Sequence, residues 1–315
     1  MEKNERKIKP SVIIISLLCI IYIGVIGTLS YFTINLHNKT LEENKIKKQN
    51  EKEFIETRNN YAAVENTKIE LNEQIEDLEN VKENIENTKK EVFTLASELE
   101  KKIKAGQSNY KIAYLTFDDG PYNLTNQFLN VLDKYEVKGT FFTIGQDKDR
   151  CFDNRSQDCS VMYKKIVDKG HTIANHTYSH SIFGSLYTST YNFMTQINKQ
   201  EELIKNRTGV TTNIMRFPGG SATARGLKNS IIAELRKKGY GWVDWTAQNG
   251  DGGSVSSKAQ AWSNFVGTIN DPIEVVLFHD YNNITLSMLP EAIEYLQNKN
   301  YILLPLFYDS VMINK

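Results

Sequence analysis

The chain lacks an excess of charge of either sign. Its 315 residues include 38 lysines and arginines against 38 aspartates and glutamates, so the formal net charge is +0. The basic residues are spread along the chain and matched by acidic ones, whereas nucleic-acid binding is typical of clustered basic residues. We therefore expect no nucleic-acid partner.

Charged residues are missing altogether from residues 11–36. This apolar stretch is longer than the roughly 20 residues needed to cross a bilayer. It predicts a transmembrane anchor preceded by a short cytoplasmic tail, residues 1–10. A cleaved signal peptide is the alternative, although no small-x-small cleavage site follows the apolar core. Lysines lie on both sides of the stretch, so their count does not decide its orientation.

Proline and glycine are missing between residues 39 and 105, where Glu, Lys and Asn predominate. This composition predicts that residues 37–108 form a long helical spacer, and one heptad column in it is apolar. That column consists of Val64, Leu71, Leu78, Ile85, Val92 and Leu99. The second column is mixed, which leaves two interpretations open: a weak parallel homodimer through a coiled coil, and a solvated helix that does not pair.

Cysteine is scarce, with three in the whole chain. Cys19 lies in the apolar stretch, while Cys151 and Cys159 are close enough in sequence to pair. A disulfide between them would indicate an oxidising, extracytoplasmic compartment. Two reduced surface thiols are the alternative.

Residues 109–315 alternate strand-like and helix-like patterns, which predicts a domain with a parallel α/β architecture. In barrel-type α/β folds the active site assembles at the carboxyl ends of the strands, so we expect the chemically important residues there. The predicted strands are Lys111 to Phe117, Thr140 to Ile144, His171 to Ala174, Ile214 to Phe217, Gly241 to Trp245, Glu274 to Phe278 and Tyr301 to Leu304.

Two short motifs in this region carry metal-binding chemistry. Asp118 and Asp119 precede Gly-Pro, and His176 and His180 follow in one cluster. Consecutive residues of a strand point to opposite faces, so one aspartate can bind a divalent metal while the other stays free as a base. Taken singly, Asp-Asp-Gly-Pro is also typical of a turn, and His-x-x-x-His of two surface residues on a helix. A further histidine, His171, begins its strand, and we interpret it as structural.

With Arg-Phe-Pro from residue 216, Asp-Trp from residue 244 and Leu-Phe-His from residue 277, five motifs occur in one order. On these motifs, residues 110–315 resemble the NodB-type polysaccharide deacetylases, carbohydrate esterase family 4. The resemblance implies an α/β fold, a distorted (β/α) barrel of about seven parallel strands. It also implies metal-dependent hydrolysis of acetyl groups on sugars. By the same resemblance Asp118 is the general base, His279 is the general acid, and Asp119, His176 and His180 hold the metal.

The remaining roles are also implied by the resemblance. Arg216 would tune the base and Asp244 the acid, because a cation favours a nearby carboxylate and a carboxylate favours a protonated imidazole. Trp245 and Leu277 would line the pocket for the acetyl methyl group. The N–H of Gly219 would stabilise the oxyanion, although family members often carry an aromatic residue at that position.

These inferences together predict a single-pass membrane protein. Its extracytoplasmic domain is expected to deacetylate the wall of the cell that produces it. The expected substrate is peptidoglycan, with N-acetylglucosamine preferred over N-acetylmuramic acid. Zinc is the expected metal, and an Asp-His-His set also accepts cobalt, nickel or manganese. The alternatives are deacetylation of an exported polysaccharide, a chitin-like oligomer or a xylan ester, and a membrane-bound protein that binds glycan without hydrolysing it.

Overall fold

A computed structural model describes residues 61–145 and 160–307. The predicted anchor, residues 11–36, lies outside these ranges, as do Cys151 and Cys159. Within the described ranges, no helix is both long enough and apolar enough to cross a membrane. The anchor and the disulfide therefore stay predictions.

The described part of the spacer is helical. Helix α1 covers Tyr61–Lys104 and ends just before Gly106, whose φ of 67° is in the region that favours glycine. Along this helix Leu71 and Leu78 are each 41% exposed, and Ile75 is 46% exposed. Leu71 and Leu78 belong to the apolar column predicted from the heptad pattern, and the pairing of this column with a second copy stays a prediction.

The chain divides into two compact units, Met1–Leu95 and Ala96–Lys315. The second unit begins before residue 109, where the catalytic domain was expected to start. It contains the last turns of α1, in which Ala96, Glu100 and Ile103 are buried. The Tyr114 hydroxyl donates a hydrogen bond to the Glu100 carboxylate. These helical turns are therefore part of the packed domain.

The second unit contains one parallel sheet with helices between its strands. The sheet order is β5-β4-β3-β2-β1-β7-β6, and β8 pairs with β1 beside this path. The strands are β1 (Lys111–Asp118), β2 (Thr140–Thr143), β3 (Thr172–Asn175), β4 (Ile214–Met215), β5 (Gly241–Trp242), β6 (Ala247–Gln248), β7 (Ile273–His279) and β8 (Tyr301–Leu304). The helices after α1 are α2 (Thr125–Lys134), α3 (Ser160–Asp168), α4 (Thr190–Thr208), α5 (Lys228–Lys237), α6 (Lys258–Thr268) and α7 (Asn283–Asn298), and a 3₁₀ segment covers Ser221–Leu227.

This architecture confirms the parallel α/β prediction and changes one detail. The described residues form eight strands, because a two-residue strand, β6, occurs along the chain between β5 and β7 and pairs with β7 at one end of the sheet. The sheet order has two ends, β5 and β6, so the sheet is a partial barrel. A strand of two residues carries no periodic pattern, which explains why the sequence did not predict it.

The centre of the sheet is its most completely buried part. Strand β1 pairs with β7 along most of its length and with β8 and β2 on its other side. The ring of Phe117 in β1 stacks on that of Phe141 in β2, with 4.8 Å between the ring centroids. The centroid of the Phe278 ring in β7 is 6.0 Å from that of Phe117. Close packing on both faces makes the ends of β1 and β7 rigid supports for the residues that follow.

Candidate active site

The polar residues singled out from the sequence converge at the carboxyl ends of the strands. Asp118 and His279 are the last residues of β1 and β7, and they are register partners in the sheet. His176 and Arg216 directly follow β3 and β4. Because neighbouring parallel strands bring their carboxyl ends to one edge, residues far apart in sequence come together here.

The predicted base, Asp118, is buried and paired with Arg216. Arg216 Nη1 lies 2.8 Å from Asp118 Oδ1, and the same nitrogen donates to Thr116 Oγ1 at 2.8 Å. Burial raises the pKa of Asp118, while Arg216, His279 and His180 act to lower it. Arg216 thus acts in the expected direction, but the effect of burial on this pKa is larger.

Asp119, His176 and His180 form a cluster suited to a metal ion. Their ligand atoms all lie within 4.8 Å of one another. Asp119 Oδ1 lies 3.6 Å from His176 Nε2 and 3.3 Å from His180 Nε2. Among the described residues this buried oxygen accepts no hydrogen bond. Buried carboxylate oxygens are normally paired, so the donor set fits a divalent cation.

His176 is held in the form that a metal ligand requires. Its Nδ1 lies 2.9 Å from the Arg216 carbonyl oxygen, which can only accept, so Nδ1 carries the proton and Nε2 faces the aspartates. Burial, together with the nearby His180, lowers the pKa of His176 to about 3. A neutral imidazole oriented by a backbone carbonyl is the usual state of a metal-binding histidine.

Three residues of this cluster have backbone angles that only glycine adopts readily. The φ values are 71° at Asp119, 67° at Thr177 and 48° at His180. The Thr177 N–H donates to the Asn175 side chain at 2.9 Å, and the His180 N–H donates to Thr177 Oγ1 at 3.2 Å. Such strained conformations concentrate at functional sites. They also show that His176 and His180 lie on a loop, which excludes the surface-helix alternative.

The predicted acid, His279, is bound by a residue that the sequence analysis missed. Asp251 Oδ1 accepts from His279 Nδ1 at 2.7 Å, and its other oxygen accepts from the His279 N–H at 2.9 Å. Burial lowers the pKa of His279, but the hydrogen bond and charge of Asp251, with Asp119 and Asp118, raise it to about 9. His279 is therefore protonated at neutral pH, with Nε2 3.9 Å from Asp119 Oδ2.

The described hydrogen bonds of Asp244, the residue predicted to tune the acid, are made to Ser221 and Arg216. Its carboxylate accepts from the Ser221 N–H at 2.9 Å and the Ser221 hydroxyl at 2.6 Å, and its carbonyl accepts from Arg216 at 3.1 Å. Asp244 thus supports the turn after β4, while Asp251 sets the pKa of His279. In the sequence, Asp251 is marked only by its place in an Asn-Gly-Asp-Gly turn. This turn follows β6, the strand that the apolar pattern did not predict.

The predicted pocket residues lie around the same edge of the sheet. Trp245 is half-buried and contacts the turn after β4, where a Cβ on Gly220 would be 3.0 Å from its ring. Leu277 is 7% exposed and lies two residues before His279 on β7. Gly219 is exposed, with φ of 72°, and Ile182 packs close to the space that a side chain there would occupy.

His171 lies at the other end of the sheet, just before β3. It is buried, and its Nδ1 accepts a hydrogen bond from the Gly139 N–H at 3.0 Å. Burial lowers its pKa well below the usual value, so it stays neutral. This environment agrees with a structural role.

Comparison with known proteins agrees with this geometry. The family model described as polysaccharide deacetylase matches residues 105–241. The catalytic domain of peptidoglycan N-acetylglucosamine deacetylase from Eubacterium rectale has 32% sequence identity and a TM-score of 0.59, covering 66% of this chain and 93% of that one.

Two curated relatives extend the comparison. A peptidoglycan-N-acetylglucosamine deacetylase of Bacillus cereus is 29% identical, with 61% of this chain and 67% of the relative covered. A bifunctional xylanase/deacetylase of Pseudobutyrivibrio xylanivorans is 31% identical, with 61% of this chain covered. The chain spans only 29% of that second relative's length.

The fold and the site are those of a hydrolase, with a cluster that could hold a metal ion beside a buried aspartate and a histidine. The chain belongs to the polysaccharide deacetylase family, the NodB-type group of carbohydrate esterase family 4. It is thus a polysaccharide deacetylase, an enzyme of a family that typically uses a divalent metal.

Proposed function

We propose that the enzyme hydrolyses the acetamido groups of N-acetylglucosamine in peptidoglycan and releases acetate. The observation that carries the chemistry is the placement of a base and an acid around one ligand cluster. Asp118 Oδ2 lies 3.5 Å from His176 Nε2, and His279 Nε2 lies 3.9 Å from Asp119 Oδ2. A protein that only bound glycan would need neither group.

Asp119, His176 and His180 would hold one divalent metal ion, with zinc the first choice and cobalt, nickel or manganese also suited to these donors. The ion would supply a Lewis acid for the acetyl carbonyl and lower the pKa of water. His176, neutral and fixed through the Arg216 carbonyl, offers Nε2 without first losing a proton.

Asp118 removes the proton from the attacking water. Arg216 holds Asp118 Oδ1 at 2.8 Å, which leaves Oδ2 on the side of the ligand cluster for the proton. The guanidinium itself is fully buried, and its Nε and Nη2 donate to the backbone carbonyls of Val243 and Asp244. The base is therefore held in one orientation before substrate binds.

His279 protonates the departing nitrogen. An amide nitrogen is a poor leaving group unless it receives a proton, and the Nδ1–H of His279 is committed to Asp251. The proton on Nε2 is consequently the one available for transfer. The Gly219 N–H would stabilise the oxyanion, and Trp245 and Leu277 would contact the acetyl methyl group.

Peptidoglycan is favoured because two similar proteins, from Eubacterium rectale and Bacillus cereus, are named peptidoglycan N-acetylglucosamine deacetylases. A second candidate is an acetyl ester of xylan, since the Pseudobutyrivibrio relative combines a deacetylase with a xylanase. Both substrates need the same base and metal cluster. An ester has the better leaving group, so it depends less on protonation by His279.

The proposed location is the outer face of the cell membrane. Its support is the charge-free stretch of residues 11–36, which is long enough for a single-pass anchor. Cell-wall glycan lies outside the membrane, so the catalytic domain would be extracytoplasmic. The charged helix α1 would then separate the domain from the anchor.

The experiment is acetate release by the full-length chain from peptidoglycan, from N-acetylchitopentaose and from acetylated xylan. The protein is first treated with chelator and then resupplied with zinc. The proposal predicts zinc-restored acetate release from peptidoglycan, and no release by His176→Ala. Release from xylan alone would establish the second candidate, whereas a folded, zinc-loaded protein inactive on all three substrates would contradict both.

A further inference from the structure

A pair of tyrosines adjoins the predicted acid, with one ring against His279 and the second ring against the first. The Tyr281 ring centroid is 5.2 Å from that of His279, and the Tyr122 ring is 4.9 Å from Tyr281. Both tyrosines are half-buried, so part of each side chain remains accessible. Tyr122 comes from the loop after β1 and Tyr281 from the loop after β7, which places the pair where the two catalytic loops meet.

Buried hydrogen bonds hold these two loops together. The Tyr122 N–H donates to Thr125 Oγ1 at 2.6 Å, and the Thr125 hydroxyl donates to the Asp280 carboxylate. Thr125 and Asp280 are fully buried. Gly120 lies so close to the Asp280 carboxylate that it has no room for a side chain. The tyrosine on each loop is thereby fixed relative to the other.

A second contact fixes the loop that carries Tyr281. The Asn282 side-chain oxygen caps helix α7 by accepting from the Ile284 N–H at 2.9 Å. Its side-chain nitrogen donates to the Asp251 carbonyl at 3.2 Å. The same short loop is therefore tied both to α7 and to the partner of His279. Rings held in this way can bind a ligand without first losing much conformational freedom.

The reaction places a sugar ring near His279. The nitrogen that receives the His279 proton is bonded directly to a ring carbon of the hexosamine, so this ring must lie next to His279 during the reaction. A pyranose presents polarised C–H groups on its faces, and these pack favourably on the negative face of an aromatic ring.

We propose that Tyr122 and Tyr281 form a platform that binds the pyranose ring carrying the scissile acetamido group. The platform makes the enzyme prefer acetylated sugars over acetyl compounds that lack a sugar ring. This inference rests on the proposed function, because it takes its substrate orientation from proton donation by His279.

The direct test is glycan binding in a chain that cannot turn over. Full-length Asp118→Asn is loaded with zinc, and its affinity for N-acetylchitopentaose is measured by calorimetry. Adding Tyr122→Leu and Tyr281→Leu together should weaken binding about tenfold, the size expected for losing aromatic contacts. Tyr135→Leu is the matched control, since Tyr135 is a half-buried tyrosine at the far end of α2, bonded to Glu294. Equal affinities with and without the platform would overturn the proposal.

The kinetic test uses the active chain with N-acetylchitopentaose and with triacetin, an acetyl ester that has no ring. The platform predicts that Tyr281→Leu lowers the ratio of kcat/KM for the sugar to kcat/KM for triacetin about tenfold, mainly through KM. Equal losses on both substrates would contradict it. A shift in the alkaline limb of N-acetylchitopentaose hydrolysis would also contradict it, because Tyr281 would then act through His279, on which the amide depends more than the ester.

The two proposals can fail separately. If the zinc-loaded wild-type chain released no acetate from any glycan, the proposed function would be wrong, and the kinetic prediction would fail with it. The binding measurement in Asp118→Asn would still decide whether a sugar occupies the tyrosine pair. Tyrosine-dependent binding without turnover would support the platform and reject the deacetylation of that sugar.

Discussion

The two sides of the site place the same residue type, a histidine with little exposure, in opposite protonation states. On the metal side, the pKa of His176 is lowered to about 3, first by burial and then by His180. On the acid side, burial acts in the same direction on His279, yet its pKa is raised to about 9. Burial therefore does not determine what a histidine does in this site.

The difference lies in what each Nδ1 contacts. His176 donates to the Arg216 backbone carbonyl, a neutral dipole that orients the ring but cannot offset the cost of burying a charge. His279 donates to the Asp251 carboxylate, whose negative charge stabilises the imidazolium. The carbonyl leaves the His176 ring neutral, as a metal ligand must be, and the carboxylate keeps the His279 ring protonated, as an acid must be.

The largest expected effect comes from removing the ligand histidine. His176→Ala should lose bound zinc and reduce kcat at least roughly a thousandfold, since both water activation and carbonyl polarisation depend on the ion. Elemental analysis and acetate release measure the two losses. His171→Asn is the control, because it changes a buried histidine at the other end of the sheet. Full zinc content and activity in His176→Ala would show that the cluster is not the metal site.

Asp118→Asn separates the base from the ligands. We expect kcat to fall roughly 10²- to 10⁴-fold, the contribution of a positioned general base. Zinc content should be unchanged, because Asp119 and the two histidines remain. Asp168→Asn, an exposed aspartate paired with Lys164, is the control for a surface charge change. Turnover close to wild type in Asp118→Asn would require a different base.

Asp251→Asn tests the role of His279 as the acid, through the pH dependence of enzyme activity. His279 must be protonated to donate, so wild-type activity should fall as the pH rises through about 9. Without the Asp251 charge the imidazolium is less stable, so the alkaline limb should move to lower pH. We expect kcat at pH 8 to fall about 10- to 100-fold.

Asp244→Asn provides the comparison for that experiment. Its carboxylate binds Ser221, so the change should leave the position of the alkaline limb of the pH profile where it is in the wild type. If Asp244→Asn moved this limb and Asp251→Asn did not, the assignment of the two aspartates would be reversed.

The smallest effect is expected from Gly252→Ala. An added Cβ would lie 2.6 Å from His279 Cε1, so the ring would have to move from its place beside Asp251. A small displacement of His279 would slow proton transfer without removing the imidazole. We therefore expect about a tenfold loss of kcat with full zinc content. Gly253→Ala is the control, since a Cβ there comes no closer than 3.5 Å to its neighbours. An identical loss in both variants would indicate a general effect on the turn.

Much of the fold could be predicted because its signals are local. Seven of the eight described strands follow from short apolar runs, and helical patterns predict the helices between them except α6, which the sequence analysis missed. The helix α1 was also predicted, from a long stretch without proline or glycine, and it ends at Lys104, shortly before the first glycine after that stretch. Strand β6 was missed because two residues cannot display a period.

The site was predicted unevenly for the same reason. Asp118 and Asp119 are adjacent in sequence, and His176 and His180 are four residues apart. A short sequence motif can therefore predict that the members of each pair lie in the same site. The partner of His279 is 28 residues away in sequence and follows the unrecognised strand. Two aspartates, Asp244 and Asp251, follow strands in that region, and no local pattern distinguishes them.

The sequence by itself determined which kinds of side chain stand at the ends of the strands, because strand and turn patterns depend on neighbouring residues. It thereby predicted the ligand set and the pairing of a base with an acid. Only the tertiary structure decided which carboxylate meets which histidine, since β6 pairs beside β7 and brings Asp251 to His279. Electrostatic effects on a pKa act through space over a few ångströms, and the folded chain alone determines those distances.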